Sequence, residues 1–213
     1  MTSRRQRLQA LPSHRRYRRG VDKSEVRLRT RAARRRRLPD EQAAAALQVA
    51  EAVLALPELA LAGTVVAYAS ITGEPGTEPL RATLRERGVR VLLPVLQPDD
   101  DLDWAVDDGT LAPGRRPAVL EPTGPRLGPD AVAEAAVVVV PAAAVALDGT
   151  RLGHGGGSYD RALPRANGLV VALVHDDELV DELPRDLHDR RVHVAVTPSR
   201  TVRLPVSART GPA

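Results

Sequence analysis

The chain has 213 residues, enough to bury a sizeable core, and contains no cysteine. Disulfides, cysteine-based zinc sites and thiol catalysis are therefore excluded, and no apolar run reaches membrane-spanning length. The formal net charge of +4 is uneven: residues 1–37 hold 15 of the 31 basic and 2 of the 27 acidic residues, so the remainder of the chain is acidic.

Residues 1–21 read as a disordered basic arm, with Pro12 and Gly20 as breakers and only Tyr17 among the arginines. Residues 22–213 are expected to form a single α/β domain. Asp22 is placed to cap a helix over 22–37, with Glu25 three residues on as its capping-box partner. Lys23 and Arg27, four apart, share a face of that helix. Lys23 is the sole lysine in a chain that otherwise uses arginine. An ammonium and a guanidinium are not interchangeable at a shaped site, so a lone surviving lysine is a candidate for function. A second helix is expected from Pro39 to about Leu56, where alanine dominates.

From Gly63 the pattern changes. Residues 64–69 read as a buried strand, 77–88 as a helix ended by Gly88, and 89–95 as the next strand. Residues 97–130, rich in Pro, Gly and Asp, are expected to form irregular loops around Trp104. Four consecutive valines in 136–141 mark a strand buried on both faces. Residues 169–174 and 192–196 complete the set. The alternation predicts an open, mostly parallel (mixed) sheet with helices on both faces, a Rossmann-like layered architecture preceded by N-terminal helices. Ligands in such sheets sit beyond the carboxyl ends of the strands, which directs attention to 70–78, 141–160 and 175–190.

The segment from Asp148 to Arg161 carries the densest signal. Asp148-Gly149 is a turn, and Gly153, Gly155, Gly156 and Gly157 allow close backbone approach to a ligand. A helix is expected to open at Ser158, offering amide donors to an anion, with Arg151 and Arg161 flanking. This is neither the dinucleotide fingerprint, which requires glycine at 158, nor a Walker loop, which requires Gly-Lys.

The run Arg151-Leu152-Gly153-His154-Gly155-Gly156-Gly157-Ser158-Tyr159-Asp160 resembles the glycine signature of the 5-formyltetrahydrofolate cyclo-ligases. Lys23-Ser24-Glu25-Val26-Arg27 resembles that family's N-terminal K-x-x-x-R. Glu74-Pro75-Gly76-Thr77 resembles its E-x-x-T, and Leu183-Pro184 to His188-Asp189 its late L-P…[HN]-D segment. These matches occur in the family's order over roughly residues 22–204. Departures are Ser158, where many members have tyrosine, and Gly156, where some carry lysine.

The resemblance implies an ATP-dependent, Mg²⁺-assisted conversion of 5-formyltetrahydrofolate to 5,10-methenyltetrahydrofolate with release of ADP and phosphate. It implies nucleotide contacts from Lys23, Ser24, Glu25, Val26, Arg27, Arg151, Leu152, Gly153, His154, Gly155, Gly156, Gly157, Ser158 and Tyr159, with Lys23 and Arg151 as the catalytic cations. It implies folate contacts from Ala69, Glu74 and residues 154–158. Asp160 and Asp189 resemble the Mg²⁺ ligands, hard carboxylates of the kind that ion takes. A cytoplasmic monomer that contacts neither membrane nor nucleic acid is expected. Two other readings remain open at this point. One is a different phosphate- or CoA-ligand enzyme on a similar scaffold, which would not depend on ATP. The other is a nucleic-acid-binding protein acting through the arm, whose binding would weaken with salt.

Overall fold

The computed structural model describes residues 22–116, 118–186 and 189–205. The expected arm, residues 1–21, lies outside them, as does His188. Asp22 caps helix α1 (Lys23–Arg34) as its side chain accepts from the Glu25 N–H at 2.7 Å. Val26, Thr30 and Arg34, four residues apart, form its buried stripe. Helix α2 (Pro39–Leu54) starts with proline at its first turn, where the missing N–H costs nothing. Strand β1 (Thr64–Val66), helix α3 (Glu78–Glu86) and strand β2 (Arg90–Leu96) follow as one crossover unit, and β1 and β2 pair in parallel. Gly88, at φ 72°, lets the chain leave α3 in the left-handed region.

The stretch expected to be irregular loops is more ordered than its composition indicated. It supplies strands β3 (Leu102–Val106), β4 (Leu111–Pro113) and β5 (Leu120–Pro122) and a 3₁₀ segment, Pro129–Glu134. Trp104 explains the order: its ring is fully buried and its Nε1–H donates to the Pro129 carbonyl at 3.0 Å. The remaining strands are β6 (Val137–Pro141), β7 (Ala144–Ala146), β8 (Arg151–Leu152), β9 (Leu169–Leu173), β10 (Leu179–Val180), β11 (Val194–Val196) and β12 (Thr201–Arg203). Helix α4 (Ser158–Ala162) opens at Ser158 as expected.

The main sheet has seven strands in the order β12-β11-β9-β6-β1-β2-β3. The five inner strands are parallel, and the edges β12 and β3 are antiparallel. Side chains alternate between two cores, as a period of two requires. Val65, Val137 and Val139 face α2 and α3, while Val66, Val138 and Val140 face Trp104, Ala162 and the 3₁₀ turns. Full-length helices thus cover one face and short helical turns the other. Fully burying one such valine contributes roughly 1.5–3 kcal/mol, which is why the valine run is a strand at the centre.

Two small sheets complete the fold, β10-β7-β8 and the hairpin β4-β5. The first carries α1 across the carboxyl ends of the main strands. Val26 packs on Ala143, Ala144 and Leu152, and the Thr30 hydroxyl donates to the Ala143 carbonyl at 3.1 Å.

Candidate functional site

The carboxyl ends of β1, β2 and β6 open into a cavity of about 570 Å³. Its walls come from α1, the loop after β1, the β4-β5 hairpin, the glycine loop with α4, and the segment ahead of β11. Location at the strand ends follows from topology, because connecting segments diverge there and leave a crevice.

Lys23 and Arg27 enter from α1. Lys23 Nζ lies 2.8 Å from Asp186 Oδ2 and 2.5 Å from Asp189 Oδ2. Burial works against the ammonium, but hydrogen bonds to Asp186 and Asp189 and their charge outweigh it and hold its pKa above the ordinary 10.5. Lys23 is therefore a fixed cation at neutral pH. Arg27 donates from Nε to the Gly153 carbonyl at 2.8 Å, tying α1 to the glycine loop.

The glycine loop leaves β8 at Leu152 and returns into α4. Gly155 and Gly157 have φ of 112° and 72°, conformations that side chains resist, so glycine is required at both. At five residues α4 carries little dipole, and the anion-binding capacity of the segment lies in its local amides. Arg151 is buried beneath the loop. It donates to Asp160 Oδ1 at 2.7 Å and to the Pro141 carbonyl at 3.3 Å, and its guanidinium lies 5.8 Å from the Tyr159 ring centre. The backbone N–H of Arg190 is 3.4 Å from the same Asp160 oxygen, which brings the segment that carries Asp189 against α4.

Glu74, on the loop after β1, is buried. Its Oε2 accepts from the Ile71 N–H at 3.0 Å, and its Oε1 is 2.7 Å from His154 Nε2, though without hydrogen-bond alignment. Beneath Glu74, Arg34 bonds both oxygens of Glu178 and the Ala142 carbonyl, and the His175 ring bonds the Gly73 carbonyl at 3.2 Å.

Lys23, Arg27, Ala69, Glu74, Arg151, residues 153–160 and Asp189 all line this one cavity. The other expected contacts do not reach it. Val26 and Leu152 face the core against Ala143 and Ala144. Ser24 is exposed, and Glu25 pairs with Arg29 along α1. A five-residue window on a helix necessarily includes positions on other faces.

A model of the 5-formyltetrahydrofolate cyclo-ligase family matches residues 19–198. The chain belongs to that family. The cyclo-ligase of Mycolicibacterium smegmatis is 42% identical over 150 residues, which span 65% of this chain and 75% of the relative. That of Escherichia coli K12 is 32% identical over 176 residues, or 78% and 96% of the two chains. The NMR structure of Aquifex aeolicus 5,10-methenyltetrahydrofolate synthetase superposes with a TM-score of 0.75 at 29% identity, covering 89% of this chain and 96% of that one. A Mycoplasma pneumoniae 5,10-methenyltetrahydrofolate synthetase superposes with a TM-score of 0.68 at 17% identity, covering 84% and 99%, which shows the shared fold alone.

Within this cyclo-ligase fold, several cavity residues escaped the sequence reading. Tyr68, Arg116 and the β4-β5 hairpin lie outside any motif, and only their place in the fold reveals them. Asp186 alone had a local signal, since it lies in the segment that resembles the family's late motif. Among the described residues no group of three or more His, Cys, Asp or Glu side chains is arranged to hold a metal ion, and no helix is long and apolar enough to cross a membrane.

Proposed function

We propose that this chain closes the ring of 5-formyltetrahydrofolate, using ATP and releasing ADP and phosphate to give 5,10-methenyltetrahydrofolate. One observation carries the proposal: Lys23, Glu74, Arg151 and Asp189, from four separate stretches of a cyclo-ligase sequence, line a single cavity at the strand ends.

The chemistry asked of this cavity is phosphoryl transfer followed by ring closure. The formyl oxygen attacks the γ-phosphate of ATP, and ADP departs. N10 of the folate then attacks the activated formyl carbon and phosphate leaves, forming the methenyl bridge. Phosphoryl transfer depends on positioning and charge neutralisation rather than on a protein nucleophile. Lys23 supplies a permanent ammonium on a flexible stem, suited to following the transferring phosphoryl group. The buried Arg151 is a fixed guanidinium beneath the loop, and the amides of residues 153–158 donate to phosphate oxygens. Arg27 holds that loop by its Gly153 bond.

Ala69 and Glu74, on the loop after β1, form the side assigned to the folate. Glu74 is an acceptor for the N–H groups of the pterin, with His154 beside it. Asp160 and Asp189 fit Mg²⁺ by their donor chemistry. They are two hard carboxylates brought together through the Arg190 contact, and this ion takes one or two carboxylates and fills its shell with water and phosphate oxygens. Bound there with ATP, Mg²⁺ would neutralise phosphate charge.

The test is product stoichiometry. Purified protein with 5-formyltetrahydrofolate, ATP and Mg²⁺ is expected to give one ADP, one phosphate and one methenyl product per turnover. ATP hydrolysis without methenyl product, or no reaction by folded protein, contradicts the proposal.

A further inference from the structure

Two phenol hydroxyls, those of Tyr68 and Tyr159, belong to cavity-lining residues and are buried with no hydrogen-bond partner among the described residues. A buried polar group without a partner is costly, of the order of 1–3 kcal/mol, so each calls for an explanation. Tyr159 lies within the glycine signature. Tyr68 belongs to no motif. It lies two residues beyond the end of β1, next to Ala69, and only 3% of it is exposed. The Thr77 hydroxyl donates to its carbonyl at 2.5 Å, so the backbone that carries the ring is held from the start of α3.

The surroundings keep this phenol neutral. Burial raises its pKa well above the ordinary value of 10.0, and the negative charge of Glu74 adds to the shift. Tyr68 is therefore a hydrogen-bond donor at any working pH, near a carboxylate that only accepts. Glu74 already accepts from the Ile71 N–H, with His154 beside it.

A donor hydroxyl and an acceptor carboxylate on one wall form a complementary pair. The 2-amino-4-oxo pyrimidine ring of a reduced folate presents the inverse pattern, two adjacent N–H donors next to a carbonyl acceptor. We propose that Tyr68 is a specificity-determining residue, whose hydroxyl donates to the 4-oxo group of the pterin while Glu74 accepts from its N–H groups. The inference rests on the folate reading of the cavity and adds to it a residue and a selection rule. A 4-oxo ring accepts the proton of the hydroxyl, whereas a 4-amino ring can only donate to the phenol oxygen and leaves the O–H without its acceptor. Sites built to hydrogen-bond a substrate group discriminate strongly, because the mismatched ligand leaves buried groups unpaired.

The test compares wild type with Tyr68→Phe, which keeps the ring and removes the oxygen. Competitive inhibition of ring closure is measured with 2-amino-4-oxopteridine and with 2,4-diaminopteridine. Wild type is expected to favour the oxo compound, and Tyr68→Phe to reduce that preference about tenfold, the value of one buried hydrogen bond. The KM for 5-formyltetrahydrofolate is expected to rise by a similar factor, with the KM for ATP unchanged. Because the hydroxyl has no partner among the described residues, the melting temperature of Tyr68→Phe without ligand is expected to equal or exceed that of wild type. An unchanged inhibitor preference, or a melting temperature lowered by several degrees, overturns the assignment while leaving the ring-closure reading intact. A wild-type protein that does not close the ring overturns both.

Discussion

Lys23 Nζ and Asp189 Oδ2 lie 2.5 Å apart and join the first turn of α1 to the segment ahead of β11. The two residues are 166 positions apart in sequence. The resemblance gives one to the phosphates and the other to Mg²⁺, and here each satisfies the other. Under the proposed function, a metal–nucleotide complex would exchange this pair for two others of the same kind, with Lys23 held to phosphate and Asp189 to the ion. The cavity is thus held in shape by the groups that its ligands would use.

Lys23→Ala is expected to lower kcat for ring closure by about 100-fold or more, the scale of losing one preorganised charge at a developing anion. Lys23→Arg recovers only part, because the planar guanidinium cannot follow the γ-phosphate on the same path. Stability is expected to fall by roughly 1–3 kcal/mol, since Asp186 is exposed but the Asp189 side chain is largely buried and loses its cation. Steady-state kinetics and a thermal melt on the same preparations separate the two effects. Full activity in Lys23→Ala would remove this residue from the reaction.

Asp160→Ala is expected to cost both activity and fold. Arg151 is 3% exposed and has Asp160 as its charge partner. Removing the carboxylate leaves a buried guanidinium uncompensated, at a cost of about 3 kcal/mol. Asp160→Asn keeps an acceptor and is expected to fall between the two. Chemical denaturation reports the order, wild type above Asn above Ala.

Glu74→Gln is expected to raise the KM for 5-formyltetrahydrofolate about tenfold and to leave the KM for ATP unchanged. An equal effect on both substrates would place Glu74 outside a dedicated folate half.

Stability is expected to fall as the pH drops below neutrality, before the carboxylates titrate. Burial lowers the pKa of His175 and of His193 below the ordinary 6.5. Their unfolded forms therefore bind protons more readily than their folded forms. The stability they contribute is complete above about pH 6.5 and is lost progressively as the pH falls towards their folded values. His193 has a further reason to stay neutral, because its Nδ1 accepts from the Val170 N–H at 2.9 Å. Melting temperatures between pH 7.5 and 5 check this, and a His175→Gln, His193→Gln double variant is expected to flatten the slope.

Much of the architecture was legible because its signals are local and periodic. The valine run at 137–140, the Asp22 cap and the opening of α4 at Ser158 stand where the sequence puts them. The stretch 97–130 was not legible as strands. Its order depends on Trp104 reaching Pro129 and on pairing with β2, and composition records neither contact. The same limit applied to the cavity. The glycine loop and Lys23 carry their own chemistry in their residue types, whereas Tyr68 and Arg116 reach the cavity only through tertiary packing.

The most direct test is the near-ultraviolet absorbance of methenyltetrahydrofolate, followed after the full chain is mixed with 5-formyltetrahydrofolate. A rise that needs both ATP and Mg²⁺, and that Lys23→Ala nearly abolishes, is the predicted result. A flat trace from folded wild-type protein, or a rise indifferent to ATP, contradicts the assignment of this cavity to ATP-driven ring closure.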